Sequence, residues 1–448
     1  MFLNYCFYIL TLLAFTASAA KIDYQAAKDY EGYQLLEIIP KSESDLNILS
    51  GLSKVFGENI DFWKQSLTIG KPTEIFASPE LKAQLLSYLG ANSQMTPAVK
   101  LENMGQIVRD DAIDTPRPPP SASLDENIKA VNLSEFDFNE YHSHQEINSY
   151  LKALSDEYKF VQLGSVGKSH EGRLMQYIKI GFLSEEPKNA FFVDAGIHAR
   201  EWITPAVALH FINKLVTDPE MVSLLEDIDV YVLPSVNPDG YEYSRTVERL
   251  WRKTRSGPRG PNQCYGVDPN RNFDFYWAYS GVSKDPCSEV YCGPSALSEV
   301  ECQSLTQFLK SHNSSIKAYV SLHSYGNLII HPWGHKLHAY PVDVDDIIHV
   351  GKEMARAITE AGGPEFTVGT GPEILYEVAG SSQDYAESVG IKYSYTMELT
   401  NSFTGFVLPK SKIQTTADHI LPALLVVADE VRLIDQQDSS SEENEIDQ

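Results

Sequence analysis

The apolar positions change period along the chain, and each change predicts an element. Residues 33–40 form a short apolar run of strand length. Over residues 42–56 the period lengthens to that of a helix, with Ser42 or Ser44 as its cap. Phe62-Trp63 and Thr73-Glu74-Ile75-Phe76 return to strand spacing. Residues 79–89 then place Leu81, Leu85, Leu86 and Leu89 on one helical face. The order β-α-β-β-α-β within residues 21–107 predicts a small α+β unit of ferredoxin-like type.

A Pro-rich, charged stretch follows, Asp110-Asp111-Ala112-Ile113-Asp114-Thr115-Pro116-Arg117-Pro118-Pro119-Pro120-Ser121, with little to bury. It predicts a linker over residues 108–129 with Arg109, Arg117 and Lys129 as basic cleavage points. From about residue 130 the pattern becomes that of a large α/β unit. Strands are expected at 176–180, 190–195, 229–233, 318–322 and 393–398. Helices are expected at 145–158, 204–216, 298–311, 343–361 and 414–432. Such alternation predicts a mixed central sheet with helices on both faces, over residues 130–434, and ligands gathered beyond the strand ends. Residues 435–448 are acidic and Ser-rich and predict a disordered tail.

The first 20 residues carry a different signal. Residues 7–17 are nearly all apolar, and Ala17-Ser18-Ala19 supplies small residues for cleavage, so the segment predicts an export signal although its start lacks Lys and Arg. Export changes the reading of the cysteines. Once Cys6 leaves with the signal, Cys264, Cys287, Cys292 and Cys302 remain, and an oxidising compartment favours two disulfides among three open pairings. The sequons Asn132-Leu133-Ser134 and Asn313-Ser314-Ser315 fit an extracellular glycoprotein. The formal charge of −25 argues against a nucleic-acid partner, and no segment of the mature chain has the length and apolarity of a membrane span.

Candidate chemistry sits at predicted strand ends. The strand at 190–195 runs into Gly196-Ile197-His198-Ala199-Arg200-Glu201-Trp202, which offers an imidazole and a carboxylate three residues apart. Another strand ends in His323. His198, Glu201 and His323 make a His₂Glu set with room for an open position, the composition of a catalytic zinc site. A rival loop, His331, His335 and His338, is interrupted by Pro332 and Gly334. Gly167-Lys168-Ser169 lacks the first glycine of a P-loop, and Gly164-Ser165-Val166-Gly167 has the wrong spacing for a nucleophile elbow.

Five motifs occur in order: Ile197-His198-Ala199-Arg200-Glu201-Trp202-Ile203, Pro234-Ser235-Val236-Asn237-Pro238-Asp239-Gly240-Tyr241, Trp251-Arg252-Lys253-Thr254-Arg255, Val267-Asp268-Pro269-Asn270-Arg271-Asn272-Phe273 and Tyr393-Ser394-Tyr395-Thr396-Met397-Glu398-Leu399. A chain with these motifs resembles the secreted zinc carboxypeptidases of the pancreatic A/B type, which carry an N-terminal prosegment. The resemblance implies one zinc ion on His198, Glu201 and His323, with Glu398 as general base. It implies that Arg255 stabilises the oxyanion. Asn270, Arg271 and Tyr376 would grip the terminal carboxylate of a peptide, and Arg200, Ser324 and Tyr325 would line outer subsites. It implies a capping prosegment (21–107) removed by a trypsin-like protease near Lys129, and a Cys264–Cys287 bridge. A second bridge between Cys292 and Cys302 is expected for the two that remain.

Position Gln383 falls where the family sets its side-chain preference. Basic-specific members resemble one another in an Asp there, and processing relatives with Gln add an Asp that matches Gly334 here. Without a carboxylate, an entering Lys or Arg would lose hydration uncompensated. Uncharged C-terminal residues are therefore expected, with Glu373 and Glu377 as the groups that could supply a charge. The alternatives are a basic-specific enzyme or an inactive peptide-binding homologue.

Overall fold

A computed structural model describes residues 28–66, 68–114, 131–400 and 402–446. The expected export signal and the cleavage points Arg117 and Lys129 lie outside the described residues. The first unit consists of β1 (Gln34–Ile38), α1 (Glu43–Phe56), β2 (Asp61–Lys64), β3 (Thr73–Ala77), α2 (Pro79–Asn92), β4 (Ala98–Leu101) and α3 (Met104–Asp114). Its sheet has the order β2-β3-β1-β4 with antiparallel neighbours, and the elements follow the predicted order. The Ser42 and Ser78 hydroxyls accept the backbone N–H groups of Asp45 and Leu81, which starts both helices. Leu49, Leu52, Leu81, Leu85 and Leu89 close on Leu36, Ile38 and Ile75, whereas Leu86, expected on the same face, is exposed.

Helix α3 extends this unit past residue 107, into the expected linker. The reason is packing: Met104 and Val108 are buried with Leu250, Tyr325 and Phe406 of the larger unit, and the buried Asp111 carboxylate accepts from Arg249 Nε at 3.0 Å. Residues 108–114 of the expected linker are therefore helical, and Arg109 belongs to that helix, where it is paired with Glu31 at 2.7 Å.

The larger unit begins with α4 (His144–Glu157), which a full capping box between Ser143 and Glu146 starts. It continues through β5 (Val161–Lys168), β6 (Leu174–Ile180), β7 (Ala190–Ala195), α5 (Ile203–Thr217), α6 (Pro219–Asp227), β8 (Asp229–Leu233), α7 (Pro238–Thr246), α8 (Val300–His312), β9 (Ile316–His323), β10 (Leu328–His331), α9 (Val344–Glu360), β11 (Thr367–Thr370), α10 (Gly371–Ile374), α11 (Ser382–Ser388), β12 (Tyr393–Glu398) and α12 (Ile413–Ile446). Eight strands form one mixed sheet in the order β11-β10-β12-β9-β7-β8-β6-β5, whose centre, β12-β9-β7-β8, is parallel.

Both faces of the sheet are covered. On one, Phe191, Val193 and Ala195 pack with residues of α4, α5, α9 and α12. On the other, Phe192, Tyr231 and Tyr319 meet Leu305, Phe308 and Leu309 of α8 and Tyr385 of α11. Central strands buried on both faces read as near-continuous apolar runs, which is why β7 and β8 were legible to the residue, whereas β12 reads by the alternation of Tyr393, Tyr395 and Met397 with Ser394 and Thr396. Helix α12 is continuous to Ile446, so residues 435–446 are its last turns rather than the expected disordered tail.

Candidate active site

Three neighbouring strands of the parallel centre deliver the chemistry at their C-terminal ends. Strand β7 ends at Ala195, and Gly196 at φ 67° turns the chain into the loop that carries His198 and Glu201. A side chain at Gly196 would need a left-handed conformation and would sit 3.3 Å from Pro205 Cγ and the Pro234 carbonyl. Strand β9 ends in His323 and the parallel strand β12 in Glu398, and these two residues are register partners.

His198, Glu201 and His323 are buried, with one donor atom from each inside a sphere of contacts no wider than 4.8 Å. His198 Nδ1 lies 2.9 Å from Glu201 Oε1 and 3.1 Å from His323 Nδ1, and His323 Nδ1 lies 3.3 Å from Glu201 Oε2. Two imidazole nitrogens facing each other beside a carboxylate suit a shared cation, so the donor set fits zinc. Among the described residues this is the one such group; His331, His335 and His338 do not form another. His331 is buried beside Pro332 O, and His335 stacks on Tyr276 at 3.9 Å.

Asp268, which the motif reading quoted but gave no role, organises the rest. It is fully buried and lies 3.0 Å from His198 Nε2, so that ring offers Nδ1 to a metal. Its other oxygen accepts from Arg252 Nε and Nη2 at 3.2 and 2.8 Å. Burial alone would raise this carboxyl, but Arg252, Arg271 and His198 hold it well below the usual carboxylate range. Glu201, against the same desolvation, is held ionised by His198 and His323. Glu398 is different: burial raises it to about 7, with His323 pulling the other way.

The arginine expectation needs correction. Arg252 lines the cleft, 4.0 Å from Glu201. Arg255 does not line it: its guanidinium stacks 3.5 Å from the Tyr243 ring centroid and 4.5 Å from that of Trp251. Three residues along an irregular loop reverse the facing of a side chain, which the sequence of the loop could not show.

The other expected residues converge. Asn270, Arg271, Tyr376, Gln383, Ser324, Tyr325 and Arg200 all line one cleft of about 650 Å³ together with the metal ligands and Glu398. Asn270 Oδ1 accepts the Ser382 N–H at 2.8 Å, which leaves the amide NH₂ for a ligand. Arg271 donates Nε to Gly281 O at 2.9 Å, and Ser324 N–H donates to Glu201 at 3.0 Å. Thr396 donates to Gln383 Oε1 at 3.1 Å. Glu373 accepts from Tyr340 and from Thr370 N–H, and Glu377 accepts from Leu337 N–H, so neither is among the residues lining the cleft.

The first unit covers the cleft mouth. Asp61 accepts from Arg200 at 2.9 and 3.3 Å, Tyr325 donates to Glu74 at 2.8 Å, and Trp63 packs edge-on to Phe406 at 4.9 Å. Cys264 and Cys287 are bonded. The expected second bridge is absent: Cys292 and Cys302 are free and buried, with the Cys302 thiol on the inner face of α8 turned to Pro269 O at 3.3 Å.

Comparison with known proteins agrees with this geometry. The family model "Zinc carboxypeptidase" matches residues 147–423, and "Carboxypeptidase activation peptide" matches residues 36–111. The chain is 36% identical to carboxypeptidase A2 of Mus musculus over 409 residues, covering 90% of this chain and 94% of the relative. It is 33% identical to carboxypeptidase B of Rattus norvegicus, covering 95% and 99%. Among solved structures, carboxypeptidase A from Helicoverpa armigera aligns with a TM-score of 0.81 at 26% identity, covering 90% of this chain and 98% of that one. Thrombin activatable fibrinolysis inhibitor aligns at 0.75 and 31%, covering 90% and 99%. With the metal set, the covering unit and both family models in agreement, the chain belongs to the zinc carboxypeptidases and is the zymogen form, a peptide hydrolase joined to its activation peptide.

Proposed function

We propose that the mature enzyme removes single uncharged residues from the C-termini of peptides, and that the chain is exported as its precursor. His198, Glu201 and His323 hold the zinc, which when bound supplies a Lewis acid and lowers the pKa of water. Asn270, Arg271 and Tyr376 bind the terminal carboxylate and so fix which peptide bond reaches the metal end of the cleft. Glu398, raised to about 7 and facing His323 across the strand pair, takes a proton from the attacking water and returns it to the departing amine. Arg252, oriented by Asp268, points positive charge at the carbonyl oxygen as it gains negative charge.

The observation that carries the preference is Gln383. Its carbonyl oxygen is occupied by Thr396, the neighbouring Gly334 brings no side chain, and Glu373 and Glu377 are engaged elsewhere. Neither Gln383 nor Gly334 offers a carboxylate to an entering Lys or Arg side chain; of the acids that line the cleft, Glu201 and Glu398 stand at its metal end and Asp61 is paired with Arg200. Export is supported by the apolar start of the chain and by the Cys264–Cys287 bridge. The test is kcat/KM of the activated enzyme for peptides ending in Leu, Phe, Gln, Glu, Lys and Arg at one ionic strength. Leu, Phe and Gln should exceed Lys and Arg by at least about tenfold. A win for Lys or Arg makes the enzyme basic-specific.

A further inference from the structure

Behind the side-chain end of the cleft lies a carboxylate that the mechanism above does not use. Asp384, on α11 next to Gln383, is fully buried. Its two oxygens lie 3.0 and 2.9 Å from the same donor, the Gly334 N–H. Gly334 in turn accepts from Val378 N–H at 2.7 Å. The next residue, His335, accepts from Ser280 Oγ at 2.7 Å, and Ser280 O accepts from Ala379 N–H at 3.0 Å. Three loops, around 280, 334 and 378, are thus tied together at one point, and Asp384 is the charged group at that point. Gly281, whose carbonyl holds Arg271, belongs to the same knot.

A buried carboxylate spent on the backbone N–H groups of Gly334 and its neighbour His335 calls for an explanation, because burial of an acid is costly and the carboxyl is pushed up to about 7 by it. The space at Gly334 supplies one. A Cβ there would sit 3.0 Å from Val378 O and 3.4 Å from an Asp384 oxygen, so the backbone itself forms the wall and cannot be fixed by side-chain packing. An anchor from behind is what remains. We propose that Asp384 is a positioning residue for substrate side-chain selection: it holds the Gly334 backbone as the wall against which the C-terminal side chain packs. The inference rests on reading this cleft as a carboxypeptidase side-chain pocket.

Asp384→Asn keeps the size of the group and turns an NH₂ toward the Gly334 N–H, which cannot accept it. For a blocked dipeptide ending in Phe, KM should rise about tenfold relative to one ending in Gly, while kcat moves less than about threefold. Gly334→Ala, whose added methyl would crowd Val378 O and the Asp384 carboxylate and so displace the same wall, should shift the Phe-to-Gly ratio in the same direction. Zinc content should stay at one ion per chain. Equal losses for the Phe and Gly substrates, or an unchanged ratio, would overturn the proposal. If Asp384→Asn does not melt cooperatively, the Gly334→Ala ratio decides alone. If the wild-type enzyme hydrolyses neither substrate, the functional reading has failed. Calorimetric binding of acetyl-phenylalanine against acetyl-glycine to wild type and variants then decides the positioning role, and a ratio that the variants leave unchanged would sink it.

Discussion

Arg252 and Arg255 stand three positions apart with the same charge, and only burial partners separate their roles. Arg252 is fixed by two bonds to Asp268 and faces the metal ligands, whereas Arg255 lies on aromatic rings outside the cleft. A preorganised donor aimed at developing charge is worth about 10²–10³ in kcat. Arg252→Met should therefore lower kcat by that factor, and Arg255→Met should stay within a few-fold. Steady-state rates on one blocked dipeptide, with zinc content as control, compare them directly; equal losses would remove Arg252 from the oxyanion role. The metal ligands were legible because each follows an apolar strand, so the strand end fixes its direction. Residues 251–255 precede no strand and have no period, and nothing in the spacing told one arginine from the other. Asp268 was illegible as a role for a related reason: its partners lie 16 and 70 positions away.

At the scale of elements, long periodic segments were read closely and short edge segments were not. Strands β7, β8 and β12 were expected at their observed bounds, while β5 and β11, at the two edges of the sheet, carried no clear apolar run, and the apolar run of β10 is only three residues long. Helix α8 shows what the pattern leaves out. Its inner face is apolar at Cys302, Leu305, Phe308 and Leu309, yet Glu301 is fully buried in its first turn. One oxygen accepts His170 N–H at 2.8 Å, and the other has no side-chain hydrogen-bond partner among the described residues. Burial, with Asp239 and Glu299 adding to it, raises this carboxyl to about 7. Between the ordinary value near 4.5 and about 7 the folded chain keeps a proton that the unfolded chain has released. Stability from this group is complete at acid pH and is lost as pH rises, by about 3 kcal/mol once above the folded value. Glu301→Gln cannot ionise, so its melting temperature relative to wild type should be higher at pH 8.5 than at pH 4.5. An offset that is the same at both pH values would show that the buried charge is not the cause.

The whole molecule holds its cleft shut through a few polar contacts set in an apolar seam. Tyr30, Trp63, Phe76, Met104 and Val108 of the activation peptide share one buried cluster with Leu250, Tyr325 and Phe406 of the enzyme. Within it Asp61 meets Arg200, which is 2% exposed, and Asp111 meets Arg249, which stacks on Trp202 at 3.7 Å. Removing one partner of such a pair leaves a buried charge unmatched and costs about 3–5 kcal/mol. Asp61→Ala should therefore loosen the cap without touching a catalytic group. In the uncut chain it should raise hydrolysis of a blocked dipeptide, and it should speed activation by trypsin. The position of the cut follows from the same seam. Arg109 is held in α3 by Glu31 and Asp29, so digestion should spare it and fall first within residues 115–130, at Lys129, because Pro118 follows Arg117 and blocks trypsin there. Intact mass of the early fragments reads the site, and activity read alongside it ties the cut to release. An early cut at Arg109, or an Asp61→Ala chain activated no faster than wild type, would mean that the apolar seam alone keeps the enzyme closed.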